Sequence, residues 1–388
     1  VEIGANSIRT WGLDQLSDGL LDEAHEKGLS VMLGLWVGHE RHGFDYDDPV
    51  AVRKQFERFE RAVRKYKDHP ALLVWGVGNE VDLFYSNTKV WDAVQDIAAM
   101  IHELDPHHPT TTVTAGLDPK EVELILEKAP DIDIYSVNTY GDIANVPANI
   151  REYGWDGPYM ITEWGVNGHW ESPTTDFGVP IEQTSHEKAV SFDERYDLIE
   201  NDSRYCIGSY AFLWGSKQET TSTWYGLFTP DGHSGEAIDV LQRRWGSEPE
   251  NRAPVLKSIE MNGKSPLDNV YVVSGDLAEI SIDISDPDGD RLSYKWSVIS
   301  ESTDKKAGGD AEKAPPTIPG TVKKNKGSSA VIRAPREEGQ YRVFVFATDG
   351  KGHAGTANIP FYVTPRPADA GPARGIEFKS VQLDVPKR

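Results

Sequence analysis

The feature that most constrains the fold is an alternation of short β-rich runs with amphipathic helices in the first two-thirds of the chain. Asp48–Tyr66 shows the helical pattern best, with apolar side chains every three or four positions after a capping aspartate and a proline. Trp91–Leu104 and Thr184–Glu200 follow the same pattern. We predict strands at the β-rich runs, which are Ser7–Thr10, Ser30–Leu35, Leu72–Val77, Thr110–Thr114, Ile132–Val137, Tyr159–Thr162 and Ile207–Phe212.

Strand–helix alternation predicts a parallel sheet covered by helices, and two architectures have that property. One is an open, doubly wound sheet, but no glycine-rich phosphate loop follows any predicted strand. The other is the (β/α)8 TIM barrel, an α/β fold, which we therefore favour. Because seven strands leave such a barrel one short, we expect the first strand to lie upstream of this chain.

The pattern changes at Ser247–Pro254, a polar and proline-rich stretch that is typical of a linker. Beyond it, short alternating runs separated by turns predict a small all-β sandwich of immunoglobulin-like type. We thus divide the chain into a barrel at residues 1–248, lacking its first strand, and a sandwich with a proline-rich tail at residues 249–388. The predicted strands of the sandwich are Ala278–Ile284, Arg291–Val298, Ala330–Ala334, Tyr341–Ala347, Thr356–Val363 and, in the tail, Ile376–Val385.

An acidic turn at Asp286–Asp290 allows two interpretations. Hard cations prefer clustered carboxylates, so Asp286, Asp288 and Asp290 are candidate calcium ligands. An aspartate–glycine turn also forms without an ion, and the later bidentate glutamate of a full calcium loop is missing from the sequence. We therefore favour a turn without metal, and we expect no cofactor elsewhere.

Two glutamates follow strongly apolar strands in the predicted barrel. Glu80 comes after Asn79 at the end of the third predicted strand, and Glu163 ends the sixth. Active sites of such barrels gather at the carboxyl ends of the strands, where a free carboxylate after an apolar run is costly unless it has a partner or a function. Each glutamate alone is also consistent with a cap or a salt bridge, but the pair favours catalysis.

Two opposed carboxyl groups are what glycosidic cleavage requires. One group protonates the leaving oxygen, and the other attacks the anomeric carbon or activates a water. Their pKa values must differ, so their surroundings must differ too. The sequence alone does not assign the two roles.

The pair Asn79-Glu80 with Glu163 is similar to the clan of retaining β-glycoside hydrolases built on the eight-stranded barrel, known as clan A. The resemblance covers about residues 1–245. It implies that Glu80, on strand four if an upstream strand is counted, is the acid/base. It likewise implies that Glu163, on strand seven, is the nucleophile.

The resemblance also implies roles for other side chains. Arg9 and Tyr140 would keep Glu163 ionised by charge and by hydrogen bonding. Asn79 would bond the substrate 2-hydroxyl. Trp214 matches the strand-eight tryptophan that floors the sugar subsite. Each also has a structural interpretation: a surface salt bridge for Arg9, and a core position for Tyr140 and Trp214.

Within the clan, the chain most resembles family 2-type barrels and family 158 endo-β-1,3-glucanases, which carry an appended immunoglobulin-like module. The stretches that carry this resemblance are Thr162–Gly165, Thr174–Lys188 and Tyr210–Gly226. It implies a neutral β-1,3-glucan of the laminarin type as the substrate. Other β-glycosidase specificities, a transglycosylase using the same intermediate, and a non-catalytic glycan-binding protein remain alternatives.

Further candidates for sugar contact are a histidine and several aromatic side chains. His39-Glu40-Arg41-His42 follows the second predicted strand, but its spacing is not that of the HExxH zinc motif. His39 or His42 is therefore a candidate for facing substrate, with a structural loop role as the alternative. The aromatic candidates for outer sugar subsites, of which we expect some to be core residues, are Trp36, Trp164, Trp170 and Trp224.

Charge and composition exclude several classes of partner. Acidic residues outnumber basic ones 62 to 40, a formal charge of -22, which disfavours nucleic acid and anionic lipid. No apolar run approaches the roughly 20 residues needed to span a bilayer. With a single cysteine, Cys206, an internal disulfide framework is excluded. The resemblance implies a secreted, periplasmic or cell-surface location.

Overall fold

The structure, a computed structural model, describes residues 1–366, and its first part is a parallel barrel sheet. The strands run in sequential order from β1 to β7, each parallel to the next. This order has no switch point, so the predicted barrel is confirmed and the doubly wound alternative is wrong. The strands are β1 (Ser7–Arg9), β2 (Ser30–Leu35), β3 (Leu72–Val77), β4 (Thr110–Ala115), β5 (Ile134–Asn138), β6 (Tyr159–Trp164) and β7 (Cys206–Ala211).

Six helices connect these strands and a seventh follows the last strand; together they cover the outside of the barrel. The two longest start where the sequence supplies caps: the Asp48 side chain accepts from the Val50 amide, and Thr184 and Glu187 form a capping box. The three predicted helices are present, and four shorter ones add to them. The helices are α1 (Ser17–Glu26), α2 (Pro49–Tyr66), α3 (Lys89–Leu104), α4 (Pro119–Lys128), α5 (Val146–Glu152), α6 (Ser185–Asn201) and α7 (Glu236–Arg244).

The barrel is nearly closed. Within residues 1–366 its sheet has seven strands, and the edge strands β1 and β7 approach each other through a 2.9 Å hydrogen bond between the Ser7 and Tyr210 hydroxyls. Side chains that point inward from β2 to β6 fill the interior, as in a packed barrel. This inner cluster consists of Met32, Val74, Val113, Ile134 and Met160, with Tyr210 packed against it.

The second part is a β-sandwich of two four-stranded sheets, in the orders β12-β13-β10-β8 and β11-β14-β15-β9. All strand pairs are antiparallel except β15 with β9. The prediction omitted β8, β9 and β12, and the predicted strand Ile376–Val385 lies outside the described residues. The strands are β8 (Val255–Met261), β9 (Tyr271–Val273), β10 (Leu277–Ser285), β11 (Ser293–Ser300), β12 (Val322–Asn325), β13 (Ser329–Arg333), β14 (Gly339–Thr348) and β15 (Ala354–Thr364).

A buried arginine joins the sandwich to the barrel. Arg342, on β14, is fully buried and pairs with both carboxylate oxygens of Glu301 at 3.0 Å. Its guanidinium also donates to Asn358 on β15 and to the carbonyl oxygen of Pro180 in the barrel. Because all these polar atoms are buried, the contact between the two parts of the chain is specific in register and orientation.

A second buried carboxylate lies beside this arginine, at the base of a barrel loop. Glu182 accepts hydrogen bonds from Lys188 and from Asn358 of the sandwich. It also accepts from the hydroxyls of Thr221 and Thr223, in the segment that follows β7. The sandwich is thereby connected, through Glu182, to a loop at the carboxyl end of the barrel. Among residues 1–366, no helix has the length and apolar character needed to cross a membrane.

We predict that Arg342→Ala lowers the free energy of unfolding by about 3–5 kcal/mol, because it leaves the Glu301 carboxylate buried without its partner. Differential scanning calorimetry with urea titration measures the effect. Arg336→Ala, which removes an exposed arginine from the same sandwich, is the matched control and should change stability by no more than about 0.5 kcal/mol. Equal effects of the two substitutions would contradict the assignment.

Candidate active site

Glu163 lies near the end of β6 and is held by three hydrogen-bond donors. Its Oε1 accepts from the Arg9 guanidinium at 3.1 Å and from the Trp11 indole at 2.7 Å. Its Oε2 accepts from the Tyr140 hydroxyl at 3.0 Å. Burial, followed by the Glu163 carboxylate, raises the pKa of Tyr140 well above its ordinary value, so this hydroxyl remains a donor. Both carboxylate oxygens are thus fixed in one orientation.

Arg9, the last residue of β1, connects the two sides of the site. Besides Glu163, it donates to the Thr162 carbonyl oxygen at 2.8 Å and to Asn79 Oδ1 at 2.5 Å. Asn79 Oδ1 also accepts from the Asn138 amide at 3.2 Å. Two donors to one oxygen determine which side of the Asn79 amide is the NH2, and that group is left free to donate to a ligand.

Glu80 follows β3 in a left-handed backbone conformation with φ of 50°, after Gly78 with φ of 85°. This tight path turns its side chain toward Asn138, whose amide nitrogen donates to Glu80 Oε1 at 2.8 Å. Burial, and then the neighbouring Glu163 charge, raise the pKa of Glu80 from 4.5 to about 7. The two glutamates therefore have different surroundings, as an acid and a nucleophile in one site must.

Sequence reasoning missed two of the contacts around this pair. Trp11 lies two positions after Arg9, and Asn138 is the last residue of β5. Both residues carry a hydrogen-bonding side chain at or just after the end of a predicted strand, which is the signal that could have identified them. Asn138 also lies two positions before Tyr140. What the sequence did not indicate is that Asn138 bonds to both Asn79 and Glu80, because that contact depends on strand order and twist.

Both glutamates open into one cavity of about 820 Å³. This volume is at the upper end of the roughly 300–1,000 Å³ typical of small-molecule sites. Its aromatic lining consists of Trp11, Trp36, Phe84, Tyr140, Trp170 and Phe212. Its polar lining includes Asn79, Glu80, Asn138, Asp142, Glu163, His169, Glu171, Ser216, Lys217 and Glu219.

One wall of the cavity comes from the sandwich. Residues 307–309, in the segment between β11 and β12, line the cavity and are followed by Asp310, which pairs with Arg41 at 2.9 Å and His42 at 3.0 Å. Gly308 has φ of 63°, and a Cβ there would lie 2.6 Å from Leu83 of the barrel. Only glycine permits this close approach without displacement. The prediction assigned no part of the site to the sandwich.

The structure corrects the expectation for Trp214. Its side chain is exposed and packs edge-on against Phe228, away from the cavity lining. Phe212, the residue directly after β7, lines the cavity instead and contacts Trp11 and Tyr140 through T-shaped ring packing. The aromatic side chain that lines the cavity at this strand end is thus Phe212.

Three other expected substrate contacts are also corrected, because their side chains are buried behind the site. Trp164 packs against Phe192 in the barrel core, and Trp224 donates its indole hydrogen to the Asn167 carbonyl oxygen. His39 is buried, and its ring stacks on Trp36 with centroids 4.6 Å apart. Burial lowers the pKa of His39 to about 4, so the ring is a neutral support. Of the four predicted aromatic platforms, Trp36 and Trp170 line the cavity.

The charge within the cavity is predominantly negative. Glu80, Asp142, Glu163, Glu171 and Glu219 line it, against one lysine. That lysine, Lys217, is paired with Glu219 at 2.8 Å. The Arg9 guanidinium is already hydrogen-bonded to Glu163 and Asn79. The described lining therefore offers an anionic ligand no unpaired cationic side chain.

Residues 13–173 match the family described as glycosyl hydrolases family 2, TIM barrel domain. Among curated proteins, the β-glucuronidases of Felis catus and Sus scrofa are 25% and 24% identical over 232 and 247 residues, which are 53% and 56% of this chain. The matches cover only 33% and 35% of those relatives. A solved β-glucuronidase of Faecalibacterium prausnitzii is similar over 63% of this chain and 43% of its own, with a TM-score of 0.47 and 19% identity.

The family match spans the strands that carry Glu80, Asn138 and Glu163, and it ends just past Trp170. It agrees with the resemblance that the strand-end glutamates indicate. Residues 13–173 of the barrel are therefore similar to the TIM barrel domain of glycosyl hydrolase family 2, in agreement with the resemblance to clan A β-glycoside hydrolases.

Proposed function

We propose that this protein is a retaining β-glycoside hydrolase that uses no cofactor. The observation that carries the proposal is the contrast between two carboxyl groups in one cavity. Glu163 is fixed by three donors, whereas Glu80 is partly buried and has a pKa of about 7. A carboxyl group with that pKa can give up a proton and take one back near neutral pH.

In the first step of the proposed reaction, Glu80 donates its proton to the glycosidic oxygen while Glu163 attacks the anomeric carbon. The bond to the leaving oxygen breaks, and a covalent glycosyl-enzyme forms. In the second step, Glu80, now a carboxylate, takes a proton from water as that water attacks the same carbon and releases Glu163. The product keeps the β configuration because the carbon is inverted twice.

Asn79 is suited to bind the sugar in this reaction. Because its Oδ1 is occupied by Arg9 and Asn138, its NH2 is the group available to the 2-hydroxyl. Hydrogen bonds to that hydroxyl strengthen in the transition state. Phe212, Trp11 and Trp36 offer aromatic faces for the apolar faces of sugar rings.

As to substrate, we propose a neutral β-glucan, and specifically endo-cleavage of a laminarin-like β-1,3-glucan. The charge of the cavity supports a neutral sugar, since a carboxylated sugar would meet acidic side chains and no unpaired cation in the described lining. The resemblance of Thr174–Lys188 and Tyr210–Gly226 to family 158 supports the β-1,3 linkage. The cavity volume supports the binding of more than one sugar ring.

The first prediction concerns the nucleophile. Glu163→Gly should lose turnover, because it removes the carboxylate proposed to form the covalent intermediate. The variant should still fold but be less stable than the parent protein, because Arg9 loses its buried partner. With an activated aryl β-glycoside, added azide should restore turnover and yield the α-glycosyl azide, which nuclear magnetic resonance identifies. Glu171→Gly, which removes another carboxylate of the same cavity, is the control and should give no azide adduct. Near-normal hydrolysis by Glu163→Gly would refute the assignment.

The second prediction concerns pH. Only protonated Glu80 can donate to the leaving oxygen, so kcat/KM should be full below the pKa of about 7 and decline as pH rises through it. Glu80→Gln should lower kcat/KM by about 10²–10⁴-fold on an unactivated glycan and remove this alkaline decline. Hydrolysis rates from pH 5 to pH 9 measure both effects, and an unchanged decline in the variant would exclude Glu80 as the acid.

The third prediction concerns substrate charge. Laminarin and other neutral β-glucans should be cleaved, whereas aryl β-glucuronides should be poor substrates even at high concentration. A reducing-sugar assay, with chromatography of the products, compares them on the same enzyme. Products longer than the substrate would instead indicate a transglycosylase, and binding without cleavage of any glycan would indicate a glycan-binding protein. Preferential cleavage of glucuronides would contradict the neutral-substrate proposal.

A further inference from the structure

Three carboxyl groups from two separate turns of the sandwich converge outside the lining of the proposed active-site cavity. Asp286 and Asp290 lie in the turn between β10 and β11, and Asp349 directly follows β14. Each offers an oxygen atom, and these three atoms all lie within 4.8 Å of one another. The sequence placed Asp288 in this group and did not indicate Asp349.

The hydrogen bonds of these side chains leave one oxygen free on two of them. Asp349 Oδ1 accepts from the amides of Lys351 and His353, and Asp286 Oδ1 accepts from those of Asp288 and Asp290. Within residues 1–366, the buried Oδ2 atoms of Asp286 and Asp349 have no hydrogen-bond partner. The Asp349 residue is only 5% exposed. A buried carboxylate oxygen without a donor is costly and points to a ligand.

A third unpaired oxygen comes from the linker. The Asn251 amide nitrogen donates to Asp290 Oδ2 at 2.7 Å, while Asn251 Oδ1 is buried and has no partner in the described part of the chain. The oxygen and nitrogen of an asparagine amide are assigned from their hydrogen bonds. Rotation of this amide by 180° would direct its oxygen toward the carboxylates.

We propose that these four side chains form a calcium site. Carboxylate and amide oxygens are the ligands that Ca²⁺ prefers, and their origin in two turns and a linker suits its flexible coordination better than the strict octahedron of Mg²⁺. No sulfur or imidazole belongs to the group, which disfavours Zn²⁺. The interpretation of the acidic turn as metal-free is thereby reversed.

The proposed site has a structural consequence, because one ligand belongs to the linker that joins the barrel to the sandwich. Next to Asn251, the Arg252 side chain pairs with Asp288 at 2.8 Å, and the Ala253 amide donates to Asp239 of α7. Asp288 is therefore occupied with the linker and is not a ligand. A bound Ca²⁺ would fix the linker to both turns of the sandwich at once.

Calorimetric titration of the full chain with calcium chloride, after treatment with a chelator, tests the site. We expect saturable binding of one ion per chain, half-complete between about 0.1 and 1 mM, as for other calcium modules outside the cell. Ca²⁺ should also raise the midpoint of thermal unfolding and slow tryptic cleavage after Arg252. Mg²⁺ at the same concentration should have a smaller effect.

Asp349→Asn and Asp286→Asn should abolish the calcium effects, and Asn251→Ala should weaken binding by about tenfold or more. Asp283→Asn, which removes an exposed carboxylate from β10, is the matched control and should bind like the parent protein. The Asn251 variant keeps the test valid if a carboxylate variant fails to fold. Absence of saturable binding in the parent protein, or equal binding by Asp349→Asn and Asp283→Asn, would overturn the proposal.

Discussion

The buried ion pair between Arg9 and Glu163 is the interaction on which the candidate site depends. Burying two charges is costly, and close pairing with additional hydrogen bonds offsets that cost. Here the two terminal nitrogens of Arg9 donate to Glu163, Thr162 and Asn79, while its buried Nε has no partner in the described part of the chain. One side chain from β1 thus contacts groups that follow β3 and groups near the end of β6. Those strands are neighbours in this site only because the sheet curves into a barrel, which makes the site a consequence of the barrel's near closure.

The same curvature explains which parts of the site could be predicted from the sequence. Strand ends are local features, so Glu80, Glu163, Arg9 and Tyr140 could be identified from apolar runs and a family resemblance. Whether an aromatic side chain faces the cavity or the core depends on one step of side-chain alternation at a strand end. That step separates Glu163, which lines the cavity, from the adjacent Trp164, which packs in the core. Phe212 and Trp214 follow the end of β7, where regular alternation no longer applies, so the pattern could not show which of them lines the cavity.

The contribution of the sandwich to the cavity could not be predicted, for a different reason. The segment with Gly308 comes from another part of the chain, and nothing in its composition indicates a contact with Arg41 more than 260 residues earlier. Alternating patterns predicted β10, β11, β13, β14 and β15, whereas the edge strands β9 and β12 carry too few residues to show a period. The edge strand β8 has seven residues, but its buried and exposed positions do not alternate regularly. The position of one domain on another depends on buried polar contacts that no local pattern reveals.

These polar contacts make the sandwich part of the proposed active site. Arg342 and Asn358 bind Pro180 and Glu182 in the barrel, and Glu182 in turn holds the segment at Thr221 that follows Lys217 and Glu219. Asp310, in the segment of the sandwich between β11 and β12, forms an ion pair with Arg41 of the barrel. The sandwich is thus attached to the barrel at two separate points, and it cannot rotate about one without breaking the other. The wall at residues 307–309 is therefore held in place beside the glutamates. Without its sandwich, the barrel would keep Glu80 and Glu163 but would lose one boundary of the cavity in which the proposed reaction takes place.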